Sequence, residues 1–483
     1  MKFNTKDFNI DVTSEIGRLR ALIIHSPDSG LGKVVPSKAQ DWLFEDIVHL
    51  DTMRKDEYDY YIKLLMYFLD RDKIKGKLYH IDSAESNRSF FKPDDAGFHS
   101  SDKVIELQTL LADILEDAGI RKKLTASVCA MENCSYRLQQ KLIDTEPNEL
   151  AKIFISGAIG PDKMIFAPIP NLIFSRDIGI VINKYILINK PAKKARARET
   201  LLARYIFFNH PLFTSFQDNI LEIPETAQHF LRPGDNNQDQ TTLEGGDVMV
   251  VSNDHVIIGC SERTSTSGAN EAIKLLFKNN VVNKVTVVKI PHKRDYMHID
   301  TIFTQIKRNV WVMLGSLAIK EAPVKETDPI SWFADKKDKD KPEIIQFIKG
   351  QQEPVVFESI EDLLNDISVT DLKSTEPTIF IYSGNNYFPY DAREQWTDSC
   401  NLLALREGVV LGYDRNDKTV EAFRKHGFTT VKVTELLQQF EKEEASPDDL
   451  KDTLILMPSS ELSRARGGFH CMSLPLLRDP LTR

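Results

Sequence analysis

From about residue 160 onward the chain keeps one texture: a short β-branched run, a turn, and often a helical stretch before the next run. MIFAPIPNLIFSRDIGIVINKYILI, DVMVVSNDHVIIGC, KVTVVKIP, NVWVMLG, PTIFIYSG, NLLALREGVVLGYDRN and TTVKVTEL are rich in β-branched residues and bounded by turns. ANEAIKLLFKN and KTVEAFRKHG, lying between some of them, place apolar residues at helical spacing. This alternation argues for an α/β fold class. No clean sequence period joins the runs, so pattern alone does not establish a repeat architecture.

The first third reads differently. GRLRALIIHSP (17–27) is a buried strand ended by Ser-Pro, and residues 41–73 show helical spacing with charges between the apolar positions. From about 100 to 160 the pattern stays helical, through VIELQTLLADILEDAGI, CSYRLQQKLI and NELAKIFISG, with no strand signal. A compact helical insertion at 85–160 is expected there. It divides an α/β unit made of 1–84 and 161–483. ADKKDKDKPE (334–343) is a charge run read as a solvated loop. It opens a charged insertion near 320–380 that continues through ESIEDLLNDI and carries no assigned function. EKEEASPDD (441–449) reads as another surface loop.

Composition narrows the function. The 483 residues carry 71 acidic and 62 basic side chains, a net charge of −9. Nucleic-acid surfaces cluster Lys and Arg, so no nucleic-acid partner is expected. The opening MKFNTKDFNIDVTSEIG lacks an apolar signal core, and no apolar run is long enough to span a bilayer. Five cysteines (Cys129, Cys134, Cys260, Cys400, Cys471) are too few for a disulfide framework in a chain this long. A reduced, cytoplasmic protein is expected. Cys129 and Cys134 have no second pair to complete a zinc site, so no metal is expected.

Five stretches hold candidate chemistry: NLIFSRD (171–177), LEGGDVMVV (243–251), SERTS (261–265), MHIDTIF (297–303) and RARGGFHC (464–471). Each has a plain explanation alone. Gly-Gly beside acids is usually a turn, His-x-Asp usually a satisfied pair, and Arg196 and Arg198 usually a solvated helix face. Together they supply a thiol on a glycine loop, a histidine and several strand-end carboxylates, the parts for thiol-nucleophile chemistry. The surplus of acids is informative, because carboxylates beside a thiol raise its pKa and weaken it. The arrangement makes sense if the substrate is itself a cation. A guanidinium is planar, permanently charged and matches carboxylates bidentately.

In order along the chain, SEIGRLRALIIHSP, LFEDI, PNLIFSRD, LEGGDVM, SERTS, MHIDTIF, REQWTDSCN, GVVLGYDRN, RARGGFHCMSLP and LLRDP resemble the arginine deiminases. These belong to the guanidino-group-modifying superfamily, whose fold is a five-bladed α/β propeller (pentein). The resemblance implies that fold with an inserted α-helical domain. It also implies hydrolysis of L-arginine to L-citrulline and ammonia without metal or organic cofactor. Cys471 resembles the nucleophile, His298 the general acid and base, and Glu244 the carboxylate that orients it. Asp177 and Asp300 resemble the guanidinium clamp. Asn171, Arg196 and Arg263 resemble the groups on the substrate carboxylate, with Phe174 nearby. Arg466 resembles a residue that moves with the glycine loop, and Asp247 a support for the strand end carrying Glu244.

Departures from the family pattern are Ser175 for the usual Thr, Cys400 before Asn401, and Phe469 before the His-Cys step. Gly467 and Gly468 are expected to allow backbone angles closed to other residues, to let the chain come close to the ligand, and to act as a hinge. An amidinotransferase or an arginine dihydrolase of the same superfamily, or a non-catalytic arginine-binding paralogue, are the alternatives. A homo-oligomer stays open.

Overall fold

Short β-branched runs cannot stand alone, and here they pair into sheets that follow one plan. A computed structural model describes residues 8–44, 46–83, 88–161, 163–224, 240–318 and 342–481. Among them, five sheets each join two antiparallel strands to a third that runs parallel to the second. Gly179–Ile182 pairs with Tyr185–Ile188, which takes Ile220–Glu222 as its parallel neighbour. Val248–Ser252, His255–Cys260 and Lys284–Lys289 repeat the arrangement. So do Phe303–Lys307, Val310–Met313 and Ile379–Tyr382, and Leu403–Arg406, Val409–Tyr413 and Thr453–Met457.

The fifth sheet draws on both ends of the chain. Leu474–Arg478 lies antiparallel to Leu19–Ile24, which pairs in parallel with Val104–Glu106.

The local chemistry explains the plan. An antiparallel pair needs only a tight turn, and four of the hairpins turn on two residues; Asn183 (φ 51°) and Gly408 (φ 75°) supply the left-handed backbone in two of them. A parallel strand needs a crossover, supplied by helices such as Ala197–Asn209, Thr266–Lys278 and Asp417–Lys425. The repeat thus lies in hydrogen bonding and topology, where many different apolar sequences suffice.

Three expectations change. Val104–Glu106 is a strand inside the stretch read as wholly helical, because the β-branched pair at its start adds to the edge of the buried Leu19–Ile24 strand. Within 41–73, helix begins only at Leu50; residues 41–49 are irregular. Of the expected 320–380 insertion, residues 319–341 lie outside the described residues, including most of the charge run. Its later half is ordered as Glu343–Ile348 and Val355–Phe357, which extend the second sheet, followed by helix Ile360–Asp366.

The helices Leu107–Leu115, Ala118–Met131, Tyr136–Ile143 and Pro147–Ser156 do form. Their apolar faces share one core with the neighbouring sheet, where Leu110 and Phe154 join Val181 and Leu202. No described helix is long and apolar enough to cross a membrane.

Candidate active site

The first strand of each of the five sheets is preceded by a short irregular segment, and these five segments carry the candidate residues apart from Arg196 and Arg263, which follow the second strands of two hairpins. They are 170–178, 243–247, 298–302, 398–402 and 464–473. Residues far apart in sequence therefore meet because their strands occupy equivalent places in five similar units.

Cys471, 5% exposed, sits between two of these segments. Its Sγ donates to Asp300 Oδ2 at 3.4 Å, and Asn401 Nδ2 donates to the sulfur at 3.2 Å. The Cys471 backbone N–H returns a bond to Asn401 Oδ1 at 3.0 Å. Burial, then the negative charges of Asp300, Asp177 and Asp398, push the thiol well above its usual range. The resting sulfur is a thiol. Asp300 itself is fully buried; burial works against its charge, but His470 and more distant cations lower its pKa. Its Oδ1 has no hydrogen-bond partner among the described residues.

Opposite stands His298, whose Nε2 is 3.1 Å from Glu244 Oε2. Burial disfavours the imidazolium, but Asp177, Asp247 and Glu244 outweigh it and raise the pKa to about 10. Glu244 is held below the usual carboxylate range, its burial overcome by Arg196, His298 and Arg263. Asp247 fastens the loop from behind, accepting from the Ile299 backbone N–H at 3.0 Å and the Ser261 hydroxyl at 2.5 Å. Burial raises the Asp247 pKa to about 7.

The arginines are not on a solvated face. Arg196 is buried, with Nη1 at 2.7 Å from Asp177 Oδ2 and 3.2 Å from Glu244 Oε2 and with Nε at 2.9 Å from Glu199 Oε2. Arg198 is buried beside Glu132 and lies over the Phe166 ring at 4.6 Å. Arg263 Nη1 lies 3.9 Å from Glu244 Oε1. Asn171, Phe174, Arg196, Arg263, Arg466 and Cys471 all line one small cleft, together with Asp177, Glu244 and His298. Asp247 and Asp300 are fully buried, and Asp300 reaches the cleft at the Cys471 sulfur. The Arg466 guanidinium stacks on Trp396, 3.4 Å from the ring centre. Asp177, Glu244 and His298 also bring ligand atoms within 4.8 Å of one another, a spacing a cation fits. Arg196 already supplies positive charge to both carboxylates.

The glycine loop behaves differently from the expectation. Arg466, not a glycine, adopts the left-handed backbone (φ 62°). Gly467 and Gly468 are required by close approach: a Cβ on Gly467 would lie 2.2 Å from the Phe174 ring, and one on Gly468 2.3 Å from the Asn401 carbonyl oxygen. Cys400, a departure from the family pattern, is fully buried in a separate apolar core, and burial pushes its thiol up to about 12.

Sequence reasoning gave no role to Asn401, Glu15, Arg176 or His470. All four stand inside conspicuous motifs: Glu15 in SEIGRLRALIIHSP, Arg176 in NLIFSRD, Asn401 after Cys400 and His470 before Cys471. Their place in those motifs was the available signal.

A family model described as arginine deiminase matches residues 127–478. The chain belongs to the arginine deiminase family. Arginine deiminases from Borrelia recurrentis (29% identical, 98% of both chains) and Oenococcus oeni (29%, 99% of this chain and all of the relative) align along its length. A solved amidinotransferase from Microseira wollei aligns over 98% of both chains at 13% identity and a TM-score of 0.46.

Proposed function

We propose that the protein hydrolyses L-arginine to L-citrulline and ammonia through a covalent intermediate on Cys471. The observation that carries this reading is one buried site in which a thiol touches Asp300 and faces Asp177 and the His298–Glu244 pair. Such a site repels its own thiolate and so suits a cationic substrate. At about 4 Å and an effective dielectric near 20, each acid attracts a guanidinium by roughly 4 kcal/mol before desolvation. That Arg196 already rests on Asp177 and Glu244 supports the match, since those oxygens accept guanidinium N–H groups.

The substrate guanidinium displaces Arg196 from Asp177 and is gripped by Asp177 and Asp300. Arg196, Arg263 and Asn171 then face the substrate carboxylate, against Phe174. The bound positive charge offsets the acids that hold Cys471 protonated, so the thiolate forms in the complex. Its sulfur adds to the guanidinium carbon. His298, charged at neutral pH, gives its proton to the departing ammonia and leaves an amidino-thioether. The neutral imidazole, aligned by Glu244, then takes a proton from water; the oxygen adds to the same carbon and the C–S bond breaks.

The five repeated units support a five-bladed α/β propeller, with 85–160 as a helical insertion between 1–84 and 161–483. Colour development for citrulline after incubation with free L-arginine tests the activity, with glycine added in a parallel sample. Citrulline in both samples is expected. Ornithine formed only with glycine would assign an amidinotransferase, and neither product would overturn catalysis on free arginine.

A further inference from the structure

Behind Cys471 runs a buried chain of charged groups that the chemistry above leaves unused. His470 has Nδ1 at 2.8 Å from Asp300 Oδ2 and Nε2 at 3.3 Å from Glu15 Oε2. Glu15 also accepts from Arg176 Nη1 and Nη2 at 3.3 and 3.2 Å and from the Val250 backbone N–H at 3.3 Å. Arg176 donates from its backbone N–H to the Cys471 carbonyl at 3.0 Å. Glu15, Arg176, Asp300 and His470 are all at most 4% exposed. An ionised carboxylate only accepts hydrogen bonds, so each ring nitrogen facing one must carry a hydrogen to bond it. The His470 ring bridges Glu15 and Asp300, one nitrogen on each carboxylate.

We infer that Glu15 is a positioning residue that holds the His470 ring against Asp300, so that the ring N–H occupies Asp300 Oδ2 and Asp300 suppresses the ionisation of the neighbouring Cys471 sulfur less than it otherwise would. The inference rests on the reading of Cys471 as nucleophile. The charged groups facing the sulfur are Asp300, Asp177 and Asp398, all acidic, with Tyr413 near and Asn401 donating. Those acting on Glu15 are Arg176, His470 and Arg478. Of the cations acting on Asp300, His470 is the one in hydrogen-bond contact, with His298 and Arg176 farther off. Glu15 touches neither sulfur nor cleft, so its effect on the thiol passes through His470.

The sign of one substitution separates this from a bulk charge effect. The probe is iodoacetamide at pH 8, with the alkylation rate followed on the Cys471 peptide by mass spectrometry. His470→Gln removes the ring N–H from Asp300 Oδ2 and lowers the rate about tenfold, the size of a one-unit pKa rise in the thiol. Glu15→Gln also lowers it about tenfold, although it removes an anion. A merely through-space Glu15 would give the opposite, a faster reaction. In the His470→Gln background, Glu15→Gln no longer slows alkylation. A Glu15→Gln rate equal to or above wild type overturns the inference, as does an undiminished rate in His470→Gln. Should Glu15→Gln fail to fold, Glu15→Asp, which keeps the charge but withdraws the oxygen from His470 Nε2, takes its place, with the same slowing expected and an unchanged rate overturning the inference. Alkylation needs no turnover: absent citrulline with slowed alkylation refutes only the arginine reading. Citrulline with unchanged alkylation refutes only the Glu15 relay.

Discussion

At the scale of single residues, the site separates two protonation tasks by environment. Cys471 is kept neutral by burial and acids, while His298 is kept charged by three carboxylates at neutral pH. The charged imidazole is the form that can release a proton first, which suits expulsion of ammonia. The same shift has a stability consequence. The folded pKa of about 10 exceeds the unfolded value near 6.5, so the stabilisation is full below about pH 6.5 and is lost as pH rises through 10. The melting temperature of wild type should therefore exceed that of His298→Gln most at pH 6, and the gap should close by pH 10. Calorimetry of both proteins across that range checks it; a gap that widens with pH contradicts the charged pair.

Asp300→Ala leaves the bound guanidinium without one buried partner, a loss of about 3–5 kcal/mol or at least about a hundredfold in kcat/KM. Cys471→Ser should make no citrulline, because a hydroxyl beside two acids is far harder to ionise than a thiol. Steady-state assays of the two variants read both outcomes. Turnover within tenfold of wild type in either one contradicts the assigned role.

At the scale of elements, the segments ahead of each first strand bring backbone close to side chains, and small residues make room. A Cβ on Gly246 would lie 2.5 Å from His298 Nδ1, inside any tolerated contact. Gly246→Ala should push the imidazole off Glu244 and lower kcat at least about tenfold, with the fold kept. Gly468→Val collides with Asn401, which holds Cys471 through two hydrogen bonds, and should do the same. Measured kcat and circular dichroism of both variants test this; wild-type kcat in Gly468→Val would show that the loop shifts without cost. The misread strand at Val104–Glu106 belongs to this scale as well. Three residues at the head of a helical run have too little pattern to announce a strand, and only the open edge of Leu19–Ile24 makes them one.

At the scale of the whole molecule, the last described strand completes the sheet begun by the first, which places Cys471 beside residues from every other unit. Leu476 is fully buried in that strand, and Arg478 anchors it by donating to the carbonyls of Gly17 and Ala404 at 2.6 and 2.8 Å. Leu476→Asp puts an unpaired charge in the core and should cost about 4 kcal/mol or more, enough to lower the melting temperature by several degrees. Thermal melting monitored by circular dichroism measures it. The site should fail along with the closure, so citrulline production should be lost in the same variant.

The sequence by itself determined the α/β class and singled out the thiol, the histidine and the acids that meet in one cleft, because each motif is contiguous and its residue types have few chemical uses together. It could not reveal the fivefold plan, since sheet pairing constrains apolar volume and topology rather than residue identity. Taken alone, Arg196 and Arg198 read as a solvated helix face; their burial depends on acids contributed by distant segments. Glu15 became part of the site only when the first and last strands paired. A charge buried among other charges takes its meaning from distances, and distances between remote segments are set by packing alone.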